Sequence, residues 1–192
     1  MYVLGSHAPL EALLLPHLPT MQRVPLAYLE PFERDPPWTL ALANRTVLVV
    51  HPFARTIERQ ARRRQVVFRD PRLWPEYTLK TVQAVQSAAG APAPHASWFE
   101  SLEAMQEEIA SQRFDVAIIG AGAYGIPLAT FVKGLGRKAV HLGGSTQLLF
   151  GILGARWERT ARVRSLVTEV WCRPHPSERL HAAGAVEDGA CW

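Results

Sequence analysis

The sequence predicts an α/β protein in which a mostly parallel sheet is covered by helices on both faces. Two short apolar runs rich in β-branched residues, Thr46–His51 and Val116–Ile119, are typical of buried strands. Stretches with apolar residues at helical spacing follow these runs, so strands and helices alternate along the chain. Parallel strands need such crossover helices, and the alternation therefore favours a Rossmann-like sheet. We predict that residues 1–192 form a single domain.

Composition excludes several classes of protein. The chain has 192 residues, of which 48% are hydrophobic and 20% charged, as expected for a globular domain with its own core. A net charge of +4 is low for a nucleic-acid-binding protein, and the arginines between residues 55 and 64 fit a solvated helix face. No apolar run reaches the roughly 18 residues of a membrane span, and the N-terminal segment has an apolar middle but no basic n-region and no small-residue cleavage site. We therefore expect a cytoplasmic protein without a membrane span or a nucleic-acid partner.

The two cysteines, Cys172 and Cys191, are both late in the chain. Two cysteines make neither a disulfide framework nor a zinc site. We expect them to be free thiols in a reducing compartment.

The first quarter of the chain is predicted to be irregular. Residues 1–45 contain frequent prolines, which favour extended pieces, and a short helix is predicted from Pro37 because proline suits a first helical position. After the strand at residues 46–51, a helix is expected over 54–65. Residues 79–87 alternate apolar and polar side chains and favour a second strand.

Further elements follow from local signals. Ser97 and Glu100 have the spacing of a capping box, which predicts a helix to about residue 112. Its buried stripe is expected to contain Phe99, Leu102, Met105 and Ile109. Short helices are predicted over 147–152 and 162–171, and residues 172–192 are predicted to be an irregular tail laid over the domain.

A glycine-rich turn joins the strand at 116–119 to a helix predicted over 126–135. The turn reads Gly120-Ala-Gly122-Ala-Tyr-Gly125, and a strand at 139–142 leads to a second pair, Gly143 and Gly144. Ligands of open parallel sheets bind outside the carboxyl ends of the strands, which is where these glycines lie. The glycines could let the backbone approach a diphosphate, or they could serve helix–strand packing alone.

The turn matches the dinucleotide fingerprint except at one position. That fingerprint requires an acidic residue about 20 residues further on, at the end of the next strand. The residue at that place is His141, and no acidic residue lies between Asp115 and Glu158. The sequence therefore disfavours a conventional NAD site.

Two histidines are the candidate catalytic residues. His51 and His141 each close a predicted strand, so both could project into one crevice as phosphate donors or as a general base. Either could equally be a hydrogen-bonded structural histidine. Tyr124, inside the glycine turn, could stack on a base or pack in the core.

The run from Phe114 to Trp157 resembles bacterial GT-D-fold glycosyltransferase-like proteins, most specifically in GAGAYG and HLGG. The resemblance extends to LEPFERDPPW, VLVVHPFARTIERQ, LKTVQAVQSAAG and VEDGACW. It implies a Rossmann-like fold, a UDP- or GDP-sugar donor, a glycan or other acceptor, and a divalent metal such as Mn or Mg. It places around the donor Gly120, Gly122, Tyr124, Gly125, His141, Gly143 and Gly144, with His51 closing the crevice.

The chain departs from this family at the metal site. The better-known members carry an Asp-x-Glu motif that holds the metal and the diphosphate, and this sequence has none. We expect a truncated or shortened relative whose activity alone is in doubt, and an exposed sheet edge would favour self-association. Two alternatives stay open: a non-catalytic remnant that binds a nucleotide, a glycan precursor or a partner, and an enzyme that uses NAD or S-adenosylmethionine.

Overall fold

The computed structural model describes residues 2–6, 15–17, 21–87, 92–180, 184 and 189–192. The strands are β1 (Tyr2–Ser6), β2 (Met21–Pro25), β3 (Thr46–His51), β4 (Thr78–Gln83), β5 (Val116–Ile119) and β6 (Lys138–His141). The α-helices are α1 (Ala54–Ala61), α2 (Arg64–Val67), α3 (Trp98–Ser111), α4 (Gly125–Gly134), α5 (Ala155–Glu158) and α6 (Ala161–Leu166). None of the helices in these described ranges is long and apolar enough to cross a membrane.

The main sheet has four strands in the order β4-β3-β5-β6, and all of its neighbours pair in parallel. From β3 the chain moves to β4 on one side, and it then returns past β3 to build β5 and β6 on the other. The direction of winding thus reverses between β3 and β5. In open α/β sheets this reversal point is where the loops diverge and leave a crevice for a ligand.

Helices cover both faces of this sheet because successive strand residues point to opposite sides. On one face the strand residues Leu48, Val50, Ala117 and Ile119 share a buried cluster with residues of α3 and α4, namely Met105, Ile109, Leu128 and Val132. On the other, Val47, Val49, Val116 and Ile118 share a cluster with Phe53, Ile57, Val67 and Trp171. The fold is α/β with a parallel sheet between two layers, as the sequence predicts.

The predicted strands at the centre of the sheet are confirmed. Those at 46–51 and 116–119 have the expected bounds, and those near 79–87 and 139–142 differ at their ends. Ser97 is the N-cap of α3, and its hydroxyl accepts a hydrogen bond from the Glu100 amide at 3.1 Å. Its capping box is modified, because the Glu100 carboxylate accepts from the amide of Ala96.

The N-terminal prediction is wrong in part. Residues 2–6 and 21–25 form a parallel strand pair, β1 with β2, and short 3₁₀ turns follow at 26–29, 31–33 and 38–42. Proline did not prevent pairing because Pro25 is the last residue of its strand, where a missing N–H costs little.

The predicted burial of Phe99 is also wrong. Its side chain is 70% exposed, although it belongs by spacing to the buried stripe of α3 that includes Met105 and Ile109. The buried residues of α3 are Ser101, Met105 and Ile109, and in the first turn Trp98, not Phe99, packs against the cluster that contains Met105 and Ile109.

The predicted helices late in the chain differ from the observed ones. The short helix predicted over 147–152 is a 3₁₀ helix at Gly143–Phe150, and Gly151 ends it with a left-handed φ of 65°. The helix predicted over 162–171 is α6 alone, and Trp171 instead donates from its indole nitrogen to the Val67 carbonyl at 2.8 Å. Cys172 and Cys191 form no disulfide bond in the described part of the chain.

Candidate functional site

A cavity of about 420 Å³ lies at the carboxyl ends of β3, β4 and β5. Its position coincides with the reversal point between β3 and β5. Its lining comes from the ends of these strands, from the turn after β6, from the starts of α3 and α5, and from the C-terminal tail. The lining residues are His51, Pro52, Phe53, Val85, Gln86, Ser87, Trp98, Gly120, Ala121, Gly122, Ala123, Tyr124, Gly143, Gly144, Gln147, Arg156, Leu180, Cys191 and Trp192.

Two glycines in this lining have a backbone that favours glycine. Gly122 has a φ of 52° and Gly143 a φ of 56°, and a Cβ on either would meet nothing within 4 Å. Because L residues rarely adopt such a φ, both positions select glycine for conformation, and both leave open space above the backbone. At both positions a ligand could approach the main chain closely.

Two other glycines of the predicted site have a packing role. A Cβ on Gly120 would lie 2.5 Å from the Thr146 hydroxyl and 2.7 Å from the Gly143 carbonyl oxygen. A Cβ on Gly125 would lie 2.1 Å from the His141 ring. Gly120 and Gly125 therefore fit the packing explanation, and the explanation by close approach of a ligand stays open for Gly122.

His51 is buried, and its surroundings define its chemistry. Its Nδ1 accepts from the Phe53 amide at 3.0 Å, so the neutral ring carries its hydrogen on Nε2. Burial lowers the pKa of His51 to about 3. The ring therefore stays neutral at physiological pH, where it can donate a hydrogen bond but cannot take up a proton. Of the two roles predicted for it, this arrangement favours the donor over the general base.

His141 does not line the cavity. Its Nδ1 lies 3.1 Å from the Ile119 carbonyl oxygen, to which it donates, and its ring packs against Gly125. Burial lowers the pKa of His141 as well. The structure thus brings one of the two candidate histidines into the cavity and places the other behind the glycine turn as a support.

An aromatic pair forms one wall of the cavity. Trp98 and Tyr124 stack with ring centroids 5.0 Å apart and planes 6° from parallel. The Tyr124 hydroxyl lies 3.3 Å from that of Ser87, which follows β4. Tyr124 is 4% exposed, so it packs in the wall as well as lining the cavity.

Arg156 is the one arginine or lysine among the described residues that line the cavity, and no Asp or Glu side chain is among them. It stands beside the second glycine pair, since a Cβ on Gly144 would lie 3.7 Å from its Nη1. This residue could not be recognised from the sequence, because α5 has only four residues and no recognisable motif. Arg156 is thus the one residue of the described lining whose side chain is permanently charged.

The C-terminal residues were also missed. Cys191 and Trp192 line the cavity, held by hydrogen bonds from the Arg156 amide to the Ala190 carbonyl and from Gln147 to the Cys191 carbonyl. Two buried polar atoms of this wall, Gln147 Oε1 and Trp192 Nε1, have no hydrogen-bond partner in the part of the chain that the structure describes. Buried polar groups normally have partners, so this wall has hydrogen-bonding capacity that the protein itself leaves unused.

The residues present do not fit the expected divalent metal. Mg²⁺ and Mn²⁺ prefer carboxylate and carbonyl oxygens, whereas the described lining contains no Asp or Glu. Nor does any cluster of three or more His, Cys, Asp or Glu side chains within the described ranges form a metal site. His175 and Cys172 are described and belong to no such cluster, and His181 lies outside the described residues.

The protein is an α/β protein with a cavity at the carboxyl ends of parallel strands. Comparison of the chain with protein-family models, with curated proteins and with solved structures found no match. The resemblance to glycosyltransferase-like proteins therefore stays a prediction made from the residues.

Proposed function

We propose that this chain is a glycosyltransferase-like domain that binds a nucleotide-sugar in the cavity between β3 and β5. The observation that carries the proposal is the pair of open, left-handed glycines at this point, Gly122 and Gly143. Their backbones leave room for a group that needs close approach, and the described lining contains the Arg156 guanidinium and no Asp or Glu side chain. A diphosphate has a negative charge that complements the guanidinium, and its oxygens bind closely to backbone amides.

The diphosphate would lie between the glycine turn and Arg156. The first amides of a helix have no partner within the helix and carry partial positive charge, and Gly122 and Gly143 each begin a 3₁₀ helix. A guanidinium can add a bidentate pair of hydrogen bonds to phosphate oxygens. These groups would neutralise the charge of the diphosphate, which a metal ion neutralises in the metal-dependent enzymes that the chain resembles.

The base and the sugar would use the remaining walls. The planar stack of Trp98 and Tyr124 offers an aromatic surface for a base, and His51 offers a neutral donor. The unpaired oxygen of Gln147 and indole nitrogen of Trp192 would provide an acceptor and a donor for polar groups of the ligand after small adjustments. A volume of about 420 Å³ falls within the range of small-molecule sites.

The same geometry bears on catalysis. His51 cannot accept a proton at neutral pH, and no Asp or Glu lines the described cavity, so no general base for an acceptor hydroxyl is at hand there. This observation favours binding over turnover as the activity of the isolated chain. Donor binding without donor hydrolysis is therefore the expected result.

The test is a thermal-shift titration with UDP-glucose and GDP-mannose, with and without manganese. We expect at least one of them to raise the melting temperature, since a ligand at 100 times its Kd adds about 2.7 kcal/mol of stability. A chain whose melting temperature responds to neither of them, under either condition, would contradict the proposal.

Gly122→Ala and Gly136→Ala form a matched pair of variants. Both glycines have a positive φ and open space around them, but only Gly122 lines the cavity. Both substitutions should cost about 1–2 kcal/mol in backbone strain. Only Gly122→Ala should also reduce the ligand-induced shift, and equal shifts in the two variants would remove the glycine turn from the site.

A further inference from the structure

Besides the helix that follows the glycine turn, α1 also begins at this end of the sheet, shortly after β3. Helix starts attract anions, so this end competes in principle with the glycine turn for a phosphate. It is already occupied by a side chain of the tail. Both oxygens of the Glu178 carboxylate are within hydrogen-bond distance of α1 groups, and the residue is 2% exposed.

The contacts of Glu178 are numerous. One carboxylate oxygen accepts from the Arg55 amide at 2.8 Å, and the other accepts from the Thr56 amide at 3.2 Å and from the Thr56 hydroxyl at 2.5 Å. That hydroxyl also accepts from the His175 amide at 2.9 Å. A residue 122 positions away in sequence thus caps α1 as an N-terminal Asp would cap its own helix.

The cap holds a segment that borders the cavity. We call residues 175–180 the strap; it contains the 3₁₀ turn Pro176–Glu178 and ends at Leu180, which lines the cavity. Gln86, another lining residue, donates from its side chain to the Glu178 carbonyl at 3.0 Å. The position of this wall therefore depends on the bond between the tail and α1.

We propose that Glu178 is a positioning residue that fills the anion site of α1, fastens the strap as a wall of the cavity and leaves the glycine turn as the place for a ligand's phosphate. Glu178 itself does not line the cavity. The part of this inference that concerns the ligand rests on the proposed function, whereas the fastening of the strap does not.

The test compares Glu178→Gln with Glu169→Gln, a matched control at an exposed residue of the same C-terminal region. Hydrogen–deuterium exchange of residues 175–180 should become at least about tenfold faster in Glu178→Gln, because a neutral amide replaces the charged acceptor of three hydrogen bonds. Exchange in the four strands of the main sheet should stay as in the wild type. Unchanged exchange of the strap in a folded Glu178→Gln protein would overturn the proposal.

Two further measurements keep the inference falsifiable. If Glu178→Gln does not fold, Thr56→Val removes one partner of the carboxylate and should accelerate strap exchange in the same way; strap exchange at the wild-type rate would overturn the proposal. Leu180→Ala should weaken UDP-glucose or GDP-mannose binding several-fold while strap exchange is unchanged, and unaltered binding would overturn the role of the strap as a wall. Absence of binding to the wild-type chain contradicts the proposed function, and faster strap exchange in Glu178→Gln would still support the fastening.

Discussion

The ends of β3 and β5 are neighbours in the sheet, and each leads into a helix at the same cavity, but the chain treats them differently. At β3, His51 accepts from the Phe53 amide and Glu178 caps α1. At β5, Gly122 holds a left-handed backbone and leaves the space above it open. In both places the first amides of a helix have no hydrogen-bond partner within that helix. The end of β3 is therefore closed by the protein's own groups, whereas the end of β5 is open, as the proposed ligand site requires.

The largest effect is expected within the β5 turn, at the glycine that packs. Gly120→Ala would bring its Cβ against the buried Thr146 side chain and the Gly143 carbonyl, both of which are too close for a methyl group. Overpacking against backbone should lower the free energy of unfolding by about 3 kcal/mol. Urea denaturation measures this change.

Gly134→Ala is the control for that substitution. Gly134 lies at the end of α4 with no atom within 4 Å of a Cβ, and alanine is the better helix former. It should leave stability unchanged or raise it. A Gly120→Ala protein as stable as this control would show that the turn has more room than its geometry indicates.

The next effect concerns the β3 end and depends on pH. The pKa of His51 is about 3 in the folded chain and about 6.5 in the unfolded one, so the unfolded state binds more protons between these values. Stability therefore falls as the pH is lowered through this window, by up to about 1.4 kcal/mol per pH unit. The contribution of His51 is complete above pH 6.5 and decreases below it.

His51→Asn isolates this contribution. The Asn oxygen can still accept from the Phe53 amide, but the side chain does not titrate. His141, whose pKa is also lowered, is present in both proteins and cancels from the comparison. Between pH 7 and pH 5 the wild type should lose about 2 kcal/mol more than His51→Asn in urea unfolding. Equal losses would mean that His51 is not held neutral, and the β3 end would then not be closed as we describe.

Much of the fold could be predicted because its signals are local. The strands at 46–51 and 116–119 are continuous apolar runs, and Ser97 marks the start of α3 through the amide three residues away. The glycine turn could be recognised in the same way. The separate roles of Gly120 and Gly122 could not, because they depend on φ and on a loop some 25 residues further along.

The parts of the site that could not be predicted come from distant residues. Glu178 reaches α1 across 122 residues, and Trp192 and Arg156 enter the cavity from segments without periodicity. No local pattern encodes such a contact. His141 illustrates the opposite error, since its place at a strand end predicted a site residue whereas its ring supports Gly125.

The smallest effect is expected on the open side of the cavity, at Gly144. A Cβ there would make ordinary contacts, 3.6 Å from Cys191 Sγ and 3.7 Å from Arg156 Nη1, without a left-handed φ to strain it. Gly144→Ala should therefore change the free energy of unfolding by less than about 0.5 kcal/mol in urea. A loss above about 1 kcal/mol would mean that the cavity wall at Gly144 is packed as tightly as Gly120, and the open space at the cavity would then not extend to Gly144.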